Sequence, residues 1–262
     1  MTNTAPTFPE GTFTPDPARG SLLGMLRAQA GIETRLALRN GEQVLLTILI
    51  PIALLVGLSL VPLLPVPEPR VQTALPSVLA LGVMSSAFTS QAIALGFDRR
   101  YGVLRRLAAT ALPRWLLVTG RLAAVLAVVV LQVILLCLIG LALGWRAGGT
   151  DLLVAVPAVL LGAAAFGALG VLLGGTLRAE ITLAVANLVW FVLLLAGGIV
   201  IPLSALPGPM AAVAAWLPSG ALAESLRGAM GAGPSPGAVP LLVLLGWAAV
   251  AAVVAARTVR WR

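Results

Sequence analysis

Six long apolar runs decide what this chain can become. They lie at 43–64, 76–97, 117–143, 152–176, 181–202 and 238–256. About 20 apolar residues at 1.5 Å rise cross the roughly 30 Å of hydrocarbon in a bilayer. A soluble domain has nowhere to put such runs: 60% of the 262 residues are hydrophobic and 10% are charged. Ordinary soluble chains run at about 45–50% and about 25%. In lipid each backbone group must find its partner within its own segment, so helices are expected. The runs are too uniformly apolar for barrel strands, which alternate. The expected fold class is therefore an all-α integral membrane protein with six transmembrane helices. The third run is long, with Arg121 near its start, and Pro51 is a kink point in the first.

The arginines orient the bundle. With a cytoplasmic N-terminus and all six runs spanning, fourteen of the 17 basic residues fall in inside segments, and only Arg70, Arg146 and Arg227 fall outside. Basic residues collect on the cytoplasmic side of membrane proteins, so the count predicts both the six spans and cytoplasmic termini. Were one run not to span, the arginines beyond it would change sides and the bias would largely vanish. The net charge of +8 then serves orientation and contact with anionic lipid, and needs no nucleic acid. The flanks follow suit. Residues 1–20 carry Pro6, Pro9, Pro15 and Pro17 without an apolar run and are expected to be a disordered tail, not a signal peptide. Residues 21–41 form an amphipathic interfacial helix. Leu22, Met25, Leu26, Ile32 and Leu36 fall on one side and Arg27, Arg35 and Arg39 on the other, with Gln29 and Glu33 intruding among the leucines. Residues 42–257 are the six-span domain and 258–262 a cytoplasmic tail.

What is missing narrows the chemistry. There is no lysine, no histidine and one cysteine, Cys137. A P-loop needs its lysine, a Ser-His-Asp triad its histidine and a zinc site several such ligands, so no catalytic or metal residues are expected. No run holds a carboxylate at its centre, where ion-coupled carriers keep an ionisable group. The glycines of the fourth run, Gly162, Gly167, Gly170, Gly174 and Gly175, suit close helix packing.

Three regions remain as functional candidates. The loop after the second run carries Asp98, Arg99, Arg100, Gly102, Leu104, Arg105, Arg106 and Leu107, and continues to Pro113 and Arg114. Its short helical stretch has an apolar stripe framed by arginines, a pattern suited to docking a partner. The second run carries a polar stripe, Ser85, Ser86, Thr89, Ser90 and Gln91. With Asn187 of the fifth run it is a candidate substrate path, although Ser and Thr also bond back to their own helix. Gln132 and Asn187 are buried amides suited to bonds between helices. The segment between the fifth and sixth runs is too apolar for a free loop and too broken by Pro202, Pro207 and Pro218 for one span. Residues 208–217 and 220–230 are expected to be two short helices dipping into the outer leaflet or lying on it. Glu224 and Arg227, three apart, are expected to form a solvated pair at the outer surface.

These residues resemble a known family, the membrane subunits of type 2 ABC exporters, notably the short drug-efflux permeases of the daunorubicin-resistance type. Asp98 to Leu107 is similar to the family's acidic-Arg-x-x-Gly-x-Leu-x-Arg-Leu run. The family's following Thr-Pro is replaced here by Thr110-Ala111, with proline at Pro113. Pro202, Leu203, Leu206, Pro207, Leu217, Pro218, Glu224 and Arg227 are similar to its closing pattern, and the interfacial helix resembles its elbow. The likeness runs over roughly residues 20–262. It implies a permease in a bacterial plasma membrane, paired with a second permease chain, most simply a copy of itself, and seated on two copies of a separate ATPase. ATP and Mg would bind that ATPase and not this chain, which lacks any Walker A sequence. The segment from Asp98 to Pro113 would dock the ATPase, and Pro202, Pro207, Pro218, Glu224 and Arg227 would gate the exit. The cargo would be an amphipathic drug-like or lipid-like compound moved outward. Rival expectations are an ion-coupled carrier and a non-transporting membrane anchor or sensor.

Overall fold

The computed structural model describes residues 21–39, 41, 45–61, 69–108, 114–146, 151–235 and 237–259. For Leu46, Arg105, Leu107, Ala108, Arg114, Trp115 and Leu117 it describes the backbone alone. The tail over residues 1–20 and Pro113 lie outside the described residues. Among the described residues every regular element is a helix. Helix α1 is Leu22–Arg39. A π-helical turn, Leu45–Leu49, leads into α2, Ile50–Leu60. Helix α3 runs Val71–Arg100, with a π-helical turn at Ser85–Thr89. The short α4 is Val103–Ala108. Long helices α5 (Arg114–Ala142), α6 (Leu152–Thr176) and α7 (Ala179–Ala196) follow. Then come α8 (Gly208–Trp216), α9 (Pro218–Ala229) and α10 (Val239–Thr258).

Five of these helices are long and apolar enough to cross a membrane, where six spans were expected. The first run differs because its described helix, Thr47–Leu60, covers only about 21 Å at 1.5 Å per residue. The other runs hold to within a few residues, except that 181–202 stops at Ala196. Gly198 has a φ of 74°, a left-handed conformation that glycine adopts without penalty, and it turns the chain away before Pro202. Large apolar side chains cover the outside of the bundle, among them Ile134, Leu138, Phe191, Leu195, Leu242 and Val250. That surface is stable against lipid and not against water.

Helix α6 sits at the centre, packed by α3, α9 and α10. Its glycines set the spacing. A Cβ on Gly170 would lie 2.7 Å from the Phe88 carbonyl of α3, and one on Gly162 would lie 2.9 Å from a Leu222 methyl of α9. The small residues therefore serve close approach, as expected. The two short helices fall at 208–216 and 218–229, near their predicted ranges. They are not alike: α8 is largely exposed, whereas most of α9 is buried among α3, α6 and α10.

Helix α1 lies along α5, but with only part of its apolar side covered. Leu22, Ile32 and Leu36 are exposed, while Met25, Leu26, Gln29, Ala30, Glu33 and Ala37 are partly covered. The cause is Gly120 of α5, which leaves room for the Gln29 side chain. Beside it Arg121 draws in Glu33, at 3.9 Å. The intruding polar residues thus dock beside Met25 and Leu26, and Leu22, Ile32 and Leu36 are left on the outside.

Candidate functional site

The polar stripe of α3 is bonded in part to neighbouring helices. Pro51 has no N–H to give the carbonyl of Thr47, four residues back. That carbonyl instead accepts from Nε2 of Gln132 on α5, at 2.6 Å. Gln132 Oε1 in turn accepts from the Ser86 hydroxyl, at 3.0 Å, and the Gln132 residue is 2% exposed. Ser85 donates to the Leu81 carbonyl of its own helix and accepts from the Trp190 indole N–H at 2.9 Å. These bonds join α2, α3, α5 and α7 at mid-height. Asn187, grouped with the stripe from sequence, is exposed on α7. Thr182, Ala186 and Leu193 are that helix's inward residues, and Asn187 follows Ala186 by 100°. Gln132 is the interhelical amide that sequence suggested; Asn187 is not. Thr89 and Gln91 each keep a buried side-chain oxygen without a hydrogen-bond partner among the described residues.

At one end of the bundle the expected docking segment is tied to four helices. Asp98 pairs with Arg121 of α5. Arg99 donates from Nη1 to the carbonyls of Gly174 and Leu177, at 3.0 and 3.1 Å. These are open C-terminal carbonyls of α6, a favourable place for a cation. Arg100 pairs with Glu180 in the first turn of α7. Gly102 has a φ of 68°, a left-handed turn that ends α3 and starts α4. Leu104 is 6% exposed and packs with Leu95, Val171, Ala255 and Val259. Leu104 was expected to face a partner and packs instead into the chain itself. The ends of α3, α6 and α10 converge beneath α4 and cover Leu104 first. Arg106 is exposed on α4. Of the side chains of Arg105 and Leu107, nothing is described.

At the opposite end Arg227 is 4% exposed, not solvated as expected. Its Nη1 donates to the Gly198 carbonyl at 2.7 Å and to Glu224 at 2.8 Å. Its Nη2 donates to the Ile199 carbonyl at 2.5 Å and to the Ser77 hydroxyl of α3 at 3.1 Å. Glu224 also accepts from the Leu203 N–H, at 3.3 Å. The rest of α9 is apolar and packed, so the arginine is carried inside, where the turn at Gly198 presents two unpaired carbonyls. Burial pushes the Arg227 guanidinium down from its ordinary value, and the Glu224 carboxylate opposes that shift. Pro202 precedes the 3-10 turn Leu203–Ala205, Pro207 caps α8, and Pro218 starts α9. Of the five residues singled out at this end, Glu224 and Arg227 are bonded into one assembly with Gly198, Ile199 and Leu203, and Ser77 is the member that sequence gave no reason to name. The assembly borders a mostly apolar cavity of about 640 Å³, lined by Leu54, Leu58, Val78, Leu194, Ile199 and Pro202 among others.

A helical bundle with an apolar outer surface and five membrane-length helices defines a multi-pass membrane protein. The ABC-2 type transporter family model matches residues 28–230, more than half of the chain, and the chain belongs to that family. It is also 27% identical over 207 residues to the Bacillus subtilis (strain 168) protein named as transport permease YvfS, over 75% of this chain and 82% of that one. Family membership makes this chain a transport permease of the ABC class, a kind of membrane subunit that works with an ATPase subunit.

Proposed function

We propose that this chain is the six-span subunit of an ATP-driven exporter, with a separate ATPase docked through the segment from Asp98 to Pro113. The helix Thr47–Leu60 and its flanks form the first span, and α1 is the elbow lying in the interface. The chain pairs with a second permease, most simply its own copy, and two ATPase subunits bind ATP and Mg. It sits in a bacterial cell membrane with cytoplasmic termini and moves a hydrophobic or amphipathic compound outward. The observation that carries this reading is the wiring of α4 and its approach. Asp98 to α5, Arg99 to α6 and Arg100 to α7, in the last turn of α3, and Leu104 of α4 to the ends of α6 and α10 tie this corner to four long helices. A push on α4 has somewhere to go. At the far end the Arg227 assembly holds the segment from Gly198 to Leu203 against α3, where an exit closes.

The test uses a tagged chain recovered from its native membrane. Wild type is expected to bring down an ABC ATPase and support ATP-dependent extrusion in vesicles. Arg105→Glu with Arg106→Glu is expected to insert normally and lose the ATPase. Normal recovery of the ATPase with that variant would remove the docking role. Transport driven by an ion gradient without ATP would remove the exporter reading.

A further inference from the structure

A second cavity, of about 330 Å³, lies at the arginine-rich end, between α1, the turn before α2, α3 and α5. It is built differently from the first. Its polar wall holds Glu33, Asp98 and Arg121, with Ser86, Ser90 and Gln91. Its apolar wall holds Ile48, Ala124, Val125 and Val128, and its α1 edge holds Leu36 and Leu38, both exposed on the outside of the bundle. The space thus lies beside the strip of α1 that faces lipid.

The charges do not balance. Among the described residues that line the space, two carboxylates share one guanidinium. Asp98 takes most of it, in direct contact with Arg121. Glu33 stands at 3.9 Å, the far limit of an ion pair, and accepts from Gln29 Nε2 at 3.0 Å. One negative charge is left over in a setting where its side chain is 20% exposed, so water screens it only in part. On the same lining, Gln91 Oε1 is buried with no donor and Arg121 Nη1 with no acceptor among the described residues. An orphaned buried acceptor is costly and is a place for a guest. A carboxylate, a spare acceptor and an apolar far wall together suit a molecule with one positive head and a greasy body.

We propose that this cavity is an intake site for amphipathic monocations, reached sideways past α1 from the adjoining leaflet, with Glu33 as the residue that meets the positive head. This names the cargo class and rests on the transport reading, but the binding step needs no ATPase. The volume of about 330 Å³ favours a single short chain over a two-chain lipid, and the net negative lining disfavours anions.

The test uses the full chain in phosphatidylcholine nanodiscs, with empty discs as blank. Octyltrimethylammonium and octanesulfonate, with the same tail and opposite heads, are compared by equilibrium dialysis. The cation is expected to bind saturably above the blank and the sulfonate not to compete. Glu33→Gln is expected to weaken the cation at least five-fold, and Glu33→Asp to keep it within two-fold. Asp151→Asn, which removes a carboxylate from the far end at the start of α6, is expected to change nothing. Glu33 is at the edge of the bundle and Asp98 remains for Arg121, so unchanged thermal unfolding is expected for the variants. Binding no greater than the blank, equal competition by the sulfonate, or an unaltered Glu33→Gln would each overturn the site. Recovery of the ATPase, scored separately, keeps the two readings apart. ATPase without cation binding defeats the intake site alone, and cation binding without ATPase defeats the exporter alone.

Discussion

Arg227 concentrates more chemistry than any other described side chain: four acceptors converge on one guanidinium inside the protein. Removing one partner of a buried charge network leaves the others stranded. Arg227→Met is therefore expected to lower unfolding stability by about 3 kcal/mol, read by thermal or denaturant unfolding in detergent. Arg227→Lys is expected to recover little, because one ammonium cannot match the planar fork. Gln132→Leu is a milder case. It strands the Thr47 carbonyl and the Ser86 hydroxyl, and bonds between membrane helices average about 0.6 kcal/mol. A loss near 1 kcal/mol or less is expected in the same assay. The sequence exposed some of this. An arginine three residues from a glutamate named the Glu224–Arg227 pair, and a lone amide in an apolar run named Gln132. It hid the burial, because what surrounds Arg227 is backbone: the carbonyls of Gly198 and Ile199 belong to a turn whose path only the fold reveals. Asn187 misled for the opposite reason, since a polar residue in an apolar run carries no mark of which side of its helix faces inward.

Helices were legible wherever apolar runs are long. Leu152–Thr176 falls where the run itself begins and ends, between the capping Asp151 and the residues Arg178 and Glu180. Their partners were less legible. Nothing periodic in α1 says that Gln29 and Glu33 dock while Ile32 and Leu36 do not; that depends on the gap at Gly120 of another helix. Contacts between helices give their own prediction. Gly170→Ala would force α6 off the Phe88 carbonyl and is expected to cost about 1–3 kcal/mol. Gly57→Ala, with nothing within 4 Å of the new methyl, is expected to be neutral or stabilising, as alanine favours helix over glycine by about 1 kcal/mol. Both are read by unfolding in one detergent. Leu104→Ala on α4 is expected to cost about 3 kcal/mol, since Leu104 is packed into the chain's own ends. It would confuse any docking experiment, which is why Arg106 is the better probe.

For the whole molecule the arrangement predicts a sidedness. With Cys137 replaced by alanine, single cysteines at Arg106 and at Arg146 are expected to react with a membrane-impermeant maleimide from opposite faces of sealed vesicles. Labelling from the same face would break the six-span order. The alternating course of the long helices also bears on how the protein is made. Helix α9 is enclosed by α3, α6 and α10, and α10 is the last of these to leave the ribosome. Until it arrives, α9 is held by α3, α6 and α8 alone, with Glu224 and Arg227 among its apolar residues. A nascent chain halted before Val239 therefore already holds all four partners of Arg227, but leaves bare the side of α9 that α10 covers.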